Sequence, residues 1–135
     1  MRSKLFAILL VASLPALMGH GEGCGSEDEE AELGEPTAAA CPDGSTLTYE
    51  TFGRSFMESY CTRCHSSTLS GEARRGAPLY HDFDTPTGIR AVADHVDQMA
   101  GSGPSATNTL MPPGGAMPTL AERQRLAEWL ACDAP

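Results

Sequence analysis

The sequence predicts an all-α domain of about three main helices and the loops that join them. Three observations predict it. Three segments repeat apolar side chains at the three- and four-residue spacing of a helix face. No segment alternates as a strand does. Fourteen glycines and ten prolines among 135 residues supply the loops. The length suits one compact domain. With one Trp, three Tyr and four Phe, its core calls for reinforcement by a covalent link or a cofactor.

The first helix is predicted from about Thr48 to Cys64, with Tyr49, Phe52, Phe56 and Tyr60 on one face. Gly53 interrupts that face. A glycine there costs about 1 kcal/mol against alanine, and it lets another helix approach closely. The second helix covers roughly Pro86 to Ala100. Ile89, Val92, Val96 and Met99 form its stripe, His95 lies at the edge, and Gly101-Ser102-Gly103-Pro104 ends it. The third starts at Thr119, where Thr119-Leu120-Ala121-Glu122 is a capping box that satisfies free helix-end amides. Leu126, Trp129 and Leu130 make its buried face, which is where the first helix is expected to pack.

The stretch ahead of the helices reads as address and tether. Arg2 and Lys4 precede an apolar run from Leu5 to Met18. That run is too short to span a bilayer and sits where an export signal sits, so residues 1–23 are expected to be one. Seven acids between residues 22 and 35 make residues 24–40 an expected acidic, disordered tether. The net charge is −9 and no basic patch stands out, which excludes nucleic acid as a partner. The folded domain is expected over 41–135.

An exported chain enters an oxidising space, where idle thiols are rare. Of the five cysteines, Cys41 stands just before the first helix and Cys132 at the end of the last. If those helices pack together, the two can meet as a disulfide. Cys24 follows the apolar run and precedes Gly25, Ser26 and the acidic stretch. It resembles the lipid-modified cysteine of bacterial lipoproteins, although Gly21 and Glu22 depart from the usual residues before it. A lipid anchor at Cys24 in the periplasm or cell envelope is the expectation; ordinary secretion with Cys24 free or paired is the alternative.

Cys61 and Cys64 belong to Cys61-Thr62-Arg63-Cys64-His65. Two thiols at this spacing can form thioethers to the two vinyl groups of a haem, and the adjacent His65 then supplies an axial nitrogen to the iron. Two other readings compete. A structural zinc site wants four N/S ligands, and no second C-x-x-C exists. A thioredoxin-like dithiol wants a βαβ setting, which is not visible. One covalent haem c therefore leads, and it asks for a second axial ligand downstream. Met111 stands before Pro112-Pro113-Gly114-Gly115, a run that forbids helix and permits sharp turns. It can present its thioether from an irregular loop, as in His/Met-ligated cytochromes. Met117, also followed by proline, is the second candidate. His81 and His95 are the candidates for a bis-histidine site, although a surface or hydrogen-bonded histidine is the favoured reading of each.

Taken together, these residues resemble a class I cytochrome c over about 41–135: a helix running into C-x-x-C-H, a methionine on a later loop, and a C-terminal helix crossing the first. Gly53, eight residues before Cys61, matches the small residue at that family's helix crossing. Trp129, three after Leu126, matches its C-terminal aromatic. Gly76-Ala77-Pro78-Leu79 resembles the loop whose proline carbonyl accepts the Nδ1–H of the ligand histidine, which implies that Pro78 orients His65. The resemblance implies a small cytochrome c fold and one-electron transfer, with an apolar shell from Phe52, Phe56, Leu79, Leu126 and Trp129. Six-coordinate iron leaves no open position, so no enzyme activity is expected, and the partners are redox proteins. The alternatives are a haem sensor or peroxidase-like protein with a labile sixth ligand, and a zinc-binding envelope lipoprotein.

Overall fold

The computed structural model describes residues 32–135. The expected export signal, Cys24 and the start of the acidic stretch lie outside the described residues. Helices and loops make up the domain, and among the described residues the sole β feature is an isolated antiparallel bridge between Ser102 and Thr107. No helix among them is long and apolar enough to cross a membrane.

The first helix opens with a π-helical turn, Tyr49–Gly53, and continues as α1, Arg54–Tyr60. Thr48 starts it: its hydroxyl accepts from the Thr51 N–H, and the Thr51 hydroxyl accepts from the Thr48 N–H. Phe52, Phe56 and Met57 face the core. The helix ends at Tyr60 rather than Cys64. Beyond it, the Cys61 carbonyl accepts from both the Cys64 and His65 N–H groups, so the C-x-x-C-H segment is itself a tight turn.

A 3₁₀ turn, Gly71–Arg74, leads to α2, Pro86–Ala91, and α3, Ala93–Ala100. Thr85 caps α2 and Pro86 takes its first position, where a missing N–H costs nothing. The single helix expected over 86–100 is thus broken at Val92, whose φ of −134° leaves the helical region. The two halves answer to different neighbours. Gly88 lies so close to the Asp82 carbonyl that a Cβ would collide with it, and the Arg90 guanidinium donates to the carbonyls of Asp133 and Ala134. α3 instead packs along the last helix, α4, Leu120–Ala131. The Thr119–Glu122 capping box opens α4 as expected.

α4 carries Leu126 and Trp129 into the core, both 0 % exposed. Trp129 meets Phe52 edge-on at 6.0 Å between ring centroids, and Tyr60 donates to the Glu122 carboxylate. The first and last helices therefore meet on the predicted face. Cys41 and Cys132 form a disulfide across that junction, with Cα atoms 4.8 Å apart.

The expected tether boundary at residue 40 shifts toward the N-terminus. Thr37 is buried, and both its N–H and its hydroxyl donate to the Asp97 carboxylate on α3. The Gly34 N–H donates to the Gln98 carbonyl, and Asn108 donates to the Glu35 carbonyl. Residues 34–37 are therefore a strap on the domain, held by backbone groups and by the side chains of Thr37, Asp97 and Asn108.

Candidate cofactor site

The turn that ends α1 presents Cys61, Cys64 and His65 together. Both cysteines are free thiols among the described residues. Burial pushes the Cys61 thiol up to about 12, against the pull of Arg123 and Arg63. A thiol held protonated in this way is the opposite of the low-pKa nucleophile of a dithiol oxidoreductase. Cys41 and Cys132 are consumed by their disulfide, so they are not available as the remaining ligands of a zinc site.

His65 is half-buried, and its Nδ1 stands 3.2 Å from the carbonyl oxygen of His81. A carbonyl only accepts, so Nδ1 carries the proton and Nε2 keeps its lone pair. Burial pulls the His65 pKa down, more than the His81 carbonyl raises it, and the charge of Arg74 adds to the fall. The ring is thus neutral and oriented, with its Nε2 ready to bind a metal. Phe83 fixes its plane, stacked 4.5 Å from it at 10°.

The expected partner of His65, Pro78, is replaced by His81. The Pro78 carbonyl accepts a 2.7 Å hydrogen bond from Arg74 instead. Arg74 is buried and binds five groups at once: the carbonyls of Ser66, Ala77, Pro78 and His81, and the Asp82 carboxylate. A guanidinium with its fork of donors suits this role. His81 also faces His95 across the surface, with 3.3 Å between ring nitrogens.

Met111 is fixed at both backbone groups. Its N–H donates to Met99, and its carbonyl accepts from Arg123, which is buried and also donates to the carbonyls of Ala100 and Asn108. Met111 and Cys61 pack against the same core. The Arg63 guanidinium, inside the C-x-x-C-H turn, donates to the Gly114 carbonyl on the methionine loop, and Gly115, at φ +86°, lies against that guanidinium. The turn and the loop are thereby joined. Met117 is 47 % exposed and lacks such anchors.

Leu79, Tyr80, Leu110, Met117 and Leu120 leave large apolar surfaces in solvent, on the segments next to His81 and Met111. Two free thiols, an oriented imidazole and a methionine held at its backbone are residue types that fit a covalently held haem. Leu79, at 66 % exposed, stands outside the core, whereas Phe52, Phe56, Leu126 and Trp129 are all within it.

Arg74 and Arg123 carry no motif that marks them. A signal for Arg123 does exist: it shares the buried face of α4 with Leu126 and Leu130, three and seven residues on. In comparisons with known proteins, no family model, no curated protein and no solved structure matches the chain.

Proposed function

We propose that this chain is a one-electron carrier of the class I cytochrome c kind, with one covalently attached c-type haem. Cys61 and Cys64 would hold the macrocycle as thioethers, His65 would bind the iron through Nε2, and Met111 would supply a thioether ligand. Bound so, the haem supplies a reversible one-electron couple between Fe(III) and Fe(II). One electron arrives from a reduced redox protein and leaves to an oxidised one, with no proton or group transferred. The observation that carries the reading is the placing of His65: its Nδ1 stands 3.2 Å from the His81 carbonyl, which leaves Nε2 for a metal, directly after two free thiols at the C-x-x-C-H spacing.

The protein's own residues do the positioning. His81, Phe83 and Arg74 hold the imidazole; Arg123 and Met99 hold the methionine; Arg63 ties the two ligand segments together. The core around Phe52, Phe56, Leu126 and Trp129 excludes water, which favours the less charged reduced state. We further place the protein in the cell envelope, exported by residues 1–23 and anchored by lipid at Cys24.

The test is expression in a host that matures c-type haem, with visible spectra of both oxidation states and a mass of the denatured chain. The expected result is haem mass retained after denaturation, sharp low-spin reduced bands and the weak long-wavelength Met–Fe(III) band. A chain without haem, from a host that matures a control cytochrome, overturns the reading. Covalent haem with a high-spin spectrum that binds carbon monoxide shifts it to a sensor or peroxidase-like protein.

A further inference from the structure

We infer that Arg74 is a positioning residue that raises the reduction potential of a haem held on His65; this rests on the haem reading above. The carbonyl of His81 accepts from two donors, His65 Nδ1 at 3.2 Å and Arg74 Nη2 at 3.2 Å. The same Arg74 nitrogen takes the Pro78 carbonyl at 2.7 Å. Arg74 therefore engages a neighbouring carbonyl of the same loop and shares the one that His65 uses.

Sharing has an electronic consequence. A cation on the acceptor draws electron density out of that carbonyl and leaves it a weaker base. His65 then keeps more of its N–H bond, takes on less imidazolate character and donates less to the iron. A weaker donor destabilises Fe(III) relative to Fe(II), so the potential rises. The buried positive charge acts in the same direction. Asp82 opposes it: its carboxylate accepts from Arg74 at 2.8 Å and offsets part of the charge. Arg74, 4 % exposed, is thus poised between the His81 carbonyl and a carboxylate whose removal has the opposite electrostatic effect.

The opposition separates this role from simple support of the loop. Potentials would be measured by spectroelectrochemistry on the matured holoprotein and on Arg74→Gln, Arg74→Lys and Asp82→Asn, with far-ultraviolet circular dichroism and the Met–Fe(III) band as checks of structure. Arg74→Gln is expected to lower the potential, read as a fall in the Fe(II)/Fe(III) ratio at a fixed poise. Arg74→Lys, which keeps the charge, is expected to fall less, and Asp82→Asn to rise. If Arg74→Gln does not fold, Asp82→Asn still decides: a potential that is unchanged or lower overturns the inference. Folded Arg74→Gln with the wild-type potential overturns it as well. A wild-type chain without covalent haem sinks both the haem reading and this inference, and the two failures are told apart by the wild-type spectrum alone.

Discussion

Gly53 lies against the Trp129 indole, so close that a Cβ on Gly53 would overlap the six-membered ring. This contact sets the crossing of the first and last helices. Gly53→Ala adds about 1 kcal/mol of helix propensity. It also forces a methyl into a buried, rigid ring, at about 1–3 kcal/mol. The overlap is with ring atoms rather than a flexible tip, so overpacking wins. Urea denaturation is expected to show a lower midpoint for Gly53→Ala. Paired with Trp129→Leu, the two changes should cost less than their sum, by about 1 kcal/mol. Strict additivity would mean that the contact does not set the crossing.

The disulfide closes nearly the whole domain, since its cysteines are 91 residues apart. In the chain-entropy account a loop of that length contributes about 4–5 kcal/mol. Cys41→Ser/Cys132→Ser is expected to lose stability on that scale, read as a fall in melting temperature. The wild type under reducing conditions should fall with it.

Arg123 fills its place on α4 by donating to three carbonyls, those of Ala100, Asn108 and Met111. Arg123→Met keeps much of the volume and removes the Nη1 group that donates to all three. Unsatisfied buried acceptors cost about 1–3 kcal/mol each, and partial relaxation of the loop should leave a net loss of about 3 kcal/mol in chemical denaturation. Hydrogen exchange should speed up at the Met111 amide.

Asp84 links residues 66–67 to the approach to α2. Burial raises its pKa, but hydrogen bonds from the Ser67 side chain and backbone and from the Ser66 hydroxyl outweigh that, and the net shift is downward. A carboxyl lowered in the folded state contributes stability above its unfolded pKa, near 3.9, and that stability is lost as pH falls through the folded value. Melting temperatures followed from pH 6 to below 3 should drop more steeply for the wild type than for Asp84→Asn. Parallel curves would show that the carboxylate adds nothing.

Much of this architecture is legible in the chain. The glycine interrupting an aromatic face announces a close helix approach, Thr119 and Glu122 announce the start of α4, and Cys41 and Cys132 bracket helices that had to pack. What stays hidden is written in carbonyls. The break at Val92 has no proline or glycine to mark it, because it follows from the separate partners of Gly88, Arg90 and α3. The exchange of Pro78 for His81 comes with a single buried arginine that takes the Pro78 carbonyl and shares that of His81 with His65. The strap at residues 34–37 is held by backbone groups, one threonine hydroxyl and an Asn, contacts that an acidic composition masks.

The disulfide between Cys41 and Cys132 also makes the domain a covalent ring. A protease that cuts one exposed bond anywhere inside it opens the ring without dividing the molecule, so a nicked protein keeps its mass on a non-reducing gel and separates into two pieces only when reduced. Damage to one loop would leave both halves of the core, and the segments bearing His65 and Met111, on a single particle.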